Sequence, residues 1–251
     1  MRTLCDYHVH TVFSDGKNTP EETVKAAMEK GVKELGFSDH SYTFFDESDC
    51  IKREKIADYK REIARLKEKY KGVIKILCGI EQDYYSAESA AGYDYAIGSV
   101  HYIKAGEEYL PIDESEKEFM AIAENYFGGD YYAFAGEYFN TVAGFSERCD
   151  IGVIGHFDLI SKFNGNGKFF DEHDKRYIKS WKAAADKLIA AGKKFEINTG
   201  AISRGYKGQP YPADAIREYI KSKGGKFTFG SDSHSADNIC FGFTDYYVNN
   251  D

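Results

Sequence analysis

The sequence predicts an α/β fold in which about seven parallel strands alternate with helices and close into a barrel. Short apolar runs alternate along the chain with segments of helical periodicity, which is typical of parallel strands joined by helical crossovers. The Gly-x-Gly-x-x-Gly turn of dinucleotide-binding sheets follows none of these strands, and seven strand–helix units in 251 residues favour a barrel over an open sheet. The length suits one large domain or two small ones. Because no linker divides the chain, we predict a single domain over residues 1–251.

The predicted elements follow one another from the amino terminus. A first strand covers residues 4–12, and a helix begins at Thr19-Pro20 and ends at Gly31. Later apolar runs predict strands at 35–37, 73–80, 93–100, 151–155, 194–198 and 226–231. Further helices are predicted at 51–71, 115–127, 130–147, 172–191 and 212–223.

Charge and composition argue against several classes of protein. The net charge of −8 and the isoelectric point of about 5.5 argue against a nucleic-acid-binding protein, which normally carries a basic excess. No apolar run is long enough to span a membrane, and the polar amino terminus does not resemble a signal peptide. The five cysteines are scattered and form no Cys-x-x-Cys pair, which indicates reduced thiols in a cytoplasmic protein and excludes a zinc ribbon.

A His-x-His pair near the amino terminus is the first candidate for chemistry. His8 and His10 are two residues apart on the first predicted strand, so both imidazoles point to the same face. Two neutral imidazoles side by side are an ordinary site for one divalent metal, and Asp15 lies in a turn that can reach the same place. Taken alone, the motif fits a chance occurrence or a satisfied pair of core histidines equally well.

The rest of the chain repeats this pattern at the carboxyl ends of the predicted strands. Six of the seven histidines lie at or just past a strand end, and Glu81 and Asp232 occupy the same topological position. In a parallel barrel all these ends lie on one rim, where such folds place their active sites. We therefore predict a metal centre with nine candidate ligands: His8, His10, Asp15, His40, Glu81, His101, His156, Asp232 and His234. The seventh histidine, His173, lies at a helix start and is predicted to be a surface residue.

Nine ligands are too many for one ion, so the pattern indicates two or three divalent ions bridged by carboxylate and hydroxide. Mixed nitrogen and oxygen donors suit Zn, Mn or Fe, and the lack of cysteine ligands argues against an iron–sulfur site. Such clusters activate water as hydroxide and clamp the attacking and leaving oxygens of a phosphoryl group. A metal-stabilised scaffold without activity is the alternative, although a structural site needs only a closed shell of four ligands.

Taken together, these motifs resemble the PHP (polymerase and histidinol phosphatase) superfamily. They are His8-Val9-His10 with Asp15, Ser38-Asp39-His40, Glu81, His101, His156 and Asp232-Ser233-His234, in the order that the family shows. The resemblance implies a distorted (β/α)7 TIM-like barrel with a trinuclear metal centre. In that centre His8, His10, Glu81 and Asp232 would hold one ion, Glu81, His101 and His156 a second, and Asp15, His40 and His234 the third.

Within the superfamily, the chain is most similar to the stand-alone histidinol-phosphatase type, which converts L-histidinol phosphate to L-histidinol in histidine biosynthesis. Residues 41–47 resemble the loop that covers the substrate, and residues 155–162 and 196–205 resemble two further segments of that type. The resemblance implies that Arg204 grips the phosphate, and Lys162 can add a point charge. The remaining predicted substrate contacts are Tyr42, Phe44 and Asp46, of which Asp46 attracts the cationic amine.

The reaction that this resemblance implies is hydrolysis of a phosphate monoester by a metal-activated hydroxide. Glu81 and Asp232 would act through the metals, and Arg204 and Lys162 would stabilise charge on the phosphoryl oxygens. A nucleotide or sugar phosphate is the alternative substrate, and the leaving-group acid, the native metals and the oligomeric state stay open. Only 17 residues follow His234, fewer than the family usually has, so we expect a short or missing closing helix.

Overall fold

Seven parallel strands form the central sheet of the computed structural model, which describes residues 3–247. The strands, in chain order, are β1 (Cys5–Asp6), β2 (Glu34–Phe37), β3 (Lys75–Asp83), β4 (Tyr95–Ser99), β5 (Tyr102–Ala105), β6 (Glu108–Pro111), β7 (Val153–Ile154), β8 (Lys194–Asn198) and β9 (Lys226–Gly230). The sheet has the order β1-β2-β3-β4-β7-β8-β9, and each neighbouring pair is parallel. The predicted (β/α)7 barrel is confirmed.

Helices connect the strands of the sheet. They are α1 (Pro20–Glu29), α2 (Ile56–Lys69), α3 (Glu116–Phe127), α4 (Tyr131–Gly144), α5 (Lys175–Ala190), α6 (Gly200–Ser203), α7 (Asp214–Ser222) and α8 (Phe243–Tyr247). Helix α1 begins with a capping box, in which the Thr19 side chain and the Glu22 carboxylate satisfy each other's backbone N–H groups. In α2 the predicted stripe of Tyr59, Ile63 and Leu66 is buried, and the helix packs against strand β3. None of the helices between residues 3 and 247 is long and apolar enough to cross a bilayer.

The seam between the first and last strands is closed by a few short-range contacts. Val9 and Ser233 form an isolated parallel bridge, and the His10 N–H donates to the Ser233 carbonyl over 2.9 Å. Below that bridge, the Asp6 carboxylate accepts hydrogen bonds from the backbone N–H groups of Ser231 (3.0 Å) and Cys240 (2.8 Å). The Asp6 carboxylate therefore joins the two edges, whose strand pairing consists of the isolated Val9–Ser233 bridge beyond the ends of β1 and β9.

The last described helix, α8, has five residues, and the expectation of a short or missing closing helix stays a prediction. Phe243 of this helix is buried with Ile197 and Phe229 in a small apolar cluster separate from the main core. The main core contains buried side chains from β2 in the first half of the chain to α7 in the second. Assignment of the whole of residues 1–251 to one domain stays a prediction.

Two local predictions were wrong, and one element was not predicted. Strand β3 does not end at Glu81 but continues to Asp83, and β1 is two residues long, so His8 and His10 lie beyond it. The antiparallel hairpin of β5 and β6 was not predicted, because the sequence pattern was interpreted only as parallel strands alternating with helices. Its signal was Gly106, which adopts a φ of 61° in the turn and permits the tight reversal.

Candidate metal centre

The structure brings all nine predicted metal ligands to one rim of the barrel. The ring centroids of His8 and His10 are 5.1 Å apart, and His10 is 4.4 Å from His40 and 4.2 Å from His234. His101 lies 5.2 Å from His40 by the same measure. A cavity of about 340 Å³ opens above this cluster. His173, in contrast, is exposed at the surface.

Local backbone contacts explain why the first histidines and Asp15 meet. The Asp39 carboxylate accepts the backbone N–H of Thr11 over 2.7 Å, which ties the segment after β1 to the segment after β2. The chain then turns tightly so that Asp15 faces back toward His10. Gly16 permits this turn, since a Cβ there would lie 2.5 Å from the Thr11 nitrogen.

Glu81 lies at the centre of the cluster. Its Oε2 is 2.9 Å from His40 Nδ1 and 3.1 Å from His8 Nε2. Its Oε1 is 2.9 Å from His156 Nε2 and accepts the Ser99 hydroxyl over 2.6 Å. The carboxylate therefore contacts ligands from both sides of the cluster, as a bridging ligand must.

Asp232 occupies the other side of the cluster. Its Oδ1 lies 3.4 Å from His10 Nε2, and its backbone adopts a φ of 51°, in the left-handed region that Asp tolerates better than most residues. Gly200 makes room for it, since a Cβ there would lie 2.8 Å from an Asp232 carboxylate oxygen. Crowding by neighbouring strands thus fixes the direction of this side chain.

Three groups of donor atoms are close enough to hold an ion each. They are His8, His10 and Asp232; His40, Glu81 and His101; and His10, Asp15, His40 and His234. Several donors have no hydrogen-bond partner although they are buried: His8 Nε2, both ring nitrogens of His10, Asp15 Oδ1, Glu81 Oε2 and His156 Nδ1. Buried polar atoms almost always have partners. Divalent ions fit this donor set because they would bind these atoms.

The same crowding changes the acidity of the cluster. Burial alone would raise the pKa of Glu81, but the imidazoles of His8, His40 and His101 outweigh it and hold that pKa well below its usual range. Burial, together with His234 and His40, lowers the pKa of His10 to about 3. His10 is therefore the neutral imidazole that metal binding needs. Against the effect of burial, Glu81 and Asp15 raise the pKa of His40 to about 10, so His40 must release a proton when a metal binds.

The predicted phosphate-binding cations line the cavity. The Arg204 guanidinium donates to Asp232 Oδ2 over 2.8 Å and to the Asp232 carbonyl over 2.9 Å. A guanidinium has five N–H groups, so these contacts leave donors for a ligand. Lys162 Nζ donates to the Asp113 carbonyl (2.6 Å) and to Asp113 Oδ2 (3.1 Å) at the cavity wall.

The three residues predicted from the loop at 41–47 are placed differently from one another. Asp46 lines the cavity and accepts the Tyr102 hydroxyl over 2.7 Å. Tyr42 and Phe44 are not among the lining residues: the Tyr42 hydroxyl donates to Glu47, and Phe44 is 50% exposed. Four acids that were not predicted from the sequence also line the cavity: Asp49, Asp83, Asp113 and Glu114.

Sequence reasoning also missed the buried acids behind the ligands. Asp83 Oδ2 accepts the His101 backbone N–H over 3.0 Å, and Glu196 Oε1 lies 2.6 Å from His8 Nδ1. Asp39, Asp83 and Glu196 are all buried. The available signal was a charged residue within or next to an apolar strand run, which is costly unless it is paired.

The barrel and its histidine–carboxylate rim define a class of metal-dependent hydrolases in which parallel strands present the ligands. The family model of the PHP domain matches residues 6–200, and the chain belongs to that family. The resemblance noted from its motifs is therefore confirmed.

Known relatives cover almost the whole chain. A Deinococcus radiodurans protein named "Probable histidinol-phosphatase" is 29% identical over 98% of this chain and 92% of its own length. The crystal structure of histidinol phosphate phosphatase from Lactococcus lactis, complexed with Zn, L-histidinol and phosphate, is 25% identical, with a TM-score of 0.72 over 93% of this chain and 87% of that one. The HisK structure from Listeria monocytogenes has a TM-score of 0.84 over 96% of this chain and 99% of that one, but at 20% identity it supports the fold alone.

Proposed function

We propose that this chain is a metal-dependent histidinol-phosphatase, which hydrolyses L-histidinol phosphate to L-histidinol and inorganic phosphate. One observation carries the proposal: seven of the nine candidate metal ligands line one cavity, which is also lined by Arg204 and Lys162. A relative with the same fold over 93% of this chain holds Zn, L-histidinol and phosphate.

The proposed ligands hold two or three Zn, Mn or Fe ions. We assign His8, His10 and Asp232 with Glu81 to one ion, Glu81, His101 and His156 to a second, and Asp15, His40 and His234 to a third. Bound ions would supply a nucleophile from water at neutral pH and positive charge beside the phosphoryl oxygens. Two donor groups support the first and third ions, since His8, His10 and Asp232 lie together, as do Asp15, His40 and His234 with His10. The remaining group has His40, not His156, beside Glu81 and His101.

The chain's own cations position the phosphate in this proposal. Arg204 is anchored by Asp232, so its free N–H groups present a fixed fork to two phosphoryl oxygens. Lys162 is held by Asp113 and adds a second positive charge at the same wall. Both cations are preorganised, because their anchoring contacts exist without substrate, and preorganised charge is what stabilises a developing negative charge.

The acidic part of the cavity favours a substrate with a cationic leaving group. Asp46, Asp49 and Glu114 line the same cavity. Burial, and then the charges of Glu118 and Asp49, raise the pKa of Glu114. L-histidinol phosphate carries an ammonium group that such carboxylates attract. Nucleotides and most sugar phosphates carry no such cation. Another small phosphate ester is therefore only the second candidate substrate, after L-histidinol phosphate.

Other properties follow from the same features. The net charge of −8 supports a small-molecule substrate over nucleic acid. All five cysteines lie in the described chain as free thiols, which supports a cytoplasmic location.

Steady-state phosphate release tests the proposal. With Mn or Zn added, we expect kcat/KM for L-histidinol phosphate to exceed that for nucleotide and sugar phosphates at least about 100-fold, or roughly 2.7 kcal/mol. EDTA should abolish turnover, and added metal should restore it. Equal, low activity on all esters would overturn the substrate assignment but keep the phosphoesterase class. Activity that survives complete metal removal would contradict the metal centre itself.

A further inference from the structure

We propose that Glu196 is a positioning residue of the metal centre, whose buried carboxylate fixes the tautomer and direction of His8. The inference rests on the proposed metal-dependent function, because it treats His8 as a ligand. It extends that function to a residue outside the nine candidate ligands.

The contacts of Glu196 are fully specified. The residue lies in β8 and is 1% exposed. Its Oε1 is 2.6 Å from His8 Nδ1, and its Oε2 accepts the His156 backbone N–H (3.1 Å) and the Asn198 side-chain amide (2.9 Å). Asn198 Nδ2 also lies 3.4 Å from Asp232 Oδ2. One carboxylate thus connects the segments that carry three candidate ligands.

The chemistry of this contact decides which nitrogen of His8 can bind a metal. With the Glu196 oxygen as the acceptor in the 2.6 Å contact, the His8 proton is held on Nδ1. In the neutral ring the lone pair is then on Nε2. That atom lies 3.1 Å from Glu81 Oε2 and 3.9 Å from Asp232 Oδ1, and it has no hydrogen-bond partner of its own.

A glycine on the next strand makes the contact possible. Asn198 of β8 pairs with Gly230 of β9. A Cβ at position 230 would lie 1.8 Å from Glu196 Oε1 and 2.6 Å from the Cβ of His8. Any larger residue would force the carboxylate away from the imidazole.

Substitution by Gln separates positioning from simple filling of space. Glu196→Gln keeps the shape, but its amide nitrogen must face either His8 Nδ1 or the two donors of His156 and Asn198. The first orientation moves the His8 proton to Nε2 and blocks the lone pair. The second places three donors together without an acceptor. Both orientations weaken metal binding at His8, because the second also replaces the charged acceptor of the Nδ1 proton with a neutral, weaker one.

The test compares metal binding by wild type, Glu196→Gln and Asp158→Asn. Asp158 is also a fully buried carboxylate, and it accepts a backbone N–H from Ala213 rather than a ligand's imidazole. We expect Zn affinity, measured by competition with a chelator, to fall about 10- to 100-fold in Glu196→Gln and to stay within threefold of wild type in Asp158→Asn.

A spectroscopic readout reports the tautomer directly. In the Zn-loaded wild type, the short bond from His8 should give a low-field proton resonance coupled to histidine Nδ1, which Glu196→Gln should lose. Unchanged Zn affinity together with an unchanged resonance would overturn the proposal. If wild type binds Zn but does not hydrolyse L-histidinol phosphate, the proposed substrate fails while the role of Glu196 can still be measured.

Glu196→Asp provides a second variant if Glu196→Gln does not fold. It keeps the charge but is one methylene shorter, so it should fold and still bind Zn more weakly than wild type. Zn affinity equal to wild type in Glu196→Asp would show that reach to His8 is unimportant and would overturn the proposal. Failure of both variants to fold, with or without Zn, would show a structural role instead and would overturn it as well.

Discussion

The barrel contains two sets of buried carboxylates that differ in what their oxygens face. Glu81 and Asp232, the cluster carboxylates, face imidazoles and the Arg204 guanidinium. Asp6 and Asp39, the framework carboxylates, face mainly backbone N–H groups and hydroxyls. All four residues are at most 6% exposed. Burial alone therefore does not distinguish a candidate ligand from a structural acid.

Their acidity shows the difference. Despite burial, the charges of Arg204 and His8 hold the pKa of Asp232 well below its usual range. Burial raises the pKa of Asp6 and of Asp39. Hydrogen bonds from neutral donors lower these pKa values, but by less than burial raises them. A carboxylate that stays ionised when buried among imidazoles is suited to a metal, whereas one that joins backbone segments is suited to closing the barrel.

The largest expected effect separates the two sets by activity. Asp232→Asn removes a charged donor but keeps the shape of the side chain, so kcat/KM should fall at least about 1000-fold, or roughly 4 kcal/mol. Zn content measured by mass spectrometry should fall with it, while the far-ultraviolet circular dichroism spectrum stays that of wild type. Full activity of Asp232→Asn would remove Asp232 from the ligand set.

Substitution of a framework carboxylate should change the stability of the protein instead of its metal binding. In Asp6→Asn, the new amide N–H groups face a backbone donor, Ser231 or Cys240, so unfolding free energy should fall by about 1–3 kcal/mol. Zn bound per folded chain should match wild type. Denaturant unfolding measures the first quantity, and Asp237→Asn at the surface is the control. A loss of Zn without a loss of stability in Asp6→Asn would erase the distinction between the two sets.

Asp113 allows a third test of how a partner's charge sets the acidity of a carboxylate. Its main partner is one lysine, Lys162, and not a cluster of histidines. Burial would raise the pKa of Asp113, but Lys162 and then His101 hold it below its usual value. A lowered carboxyl pKa in the folded state stabilises the protein above the unfolded pKa of about 4 and is lost as pH falls through the folded value.

Lys162→Met should therefore reduce the unfolding free energy of the metal-free protein by about 1 kcal/mol at neutral pH. The difference from wild type should shrink as the pH is lowered below about 4. Unfolding in urea at a series of pH values measures it. A difference that grows toward low pH would show that this pair does not favour the ionised form of Asp113.

The smallest expected effect concerns substrate choice. Asp49→Asn with Glu114→Gln removes two carboxylates from the cavity wall, so KM for L-histidinol phosphate should rise about three- to tenfold, or about 1 kcal/mol, while kcat stays unchanged. For an uncharged aryl phosphate, KM should not rise. Glu107→Gln, which changes a fully exposed acid, is the matched control. An equal rise for both esters would show that these acids do not recognise a cation.

Much of the fold and of the candidate site could be predicted because the signals are local. His8 and His10 are two residues apart, and His101, His156 and Asp232 each follow an apolar strand run. In a parallel barrel the carboxyl ends of strands meet by topology, so residues distant in sequence could be placed together without coordinates.

The sequence by itself determined the alternation of strands and helices, the rim on which the donors gather and the family. Only the tertiary structure decided which atoms meet: Glu196 with His8, Arg204 with Asp232, and Lys162 with Asp113. These contacts join strands or loops far apart in the chain. Periodicity reports which face of an element is buried, but the partner of a buried charge depends on packing between elements, which no local pattern encodes.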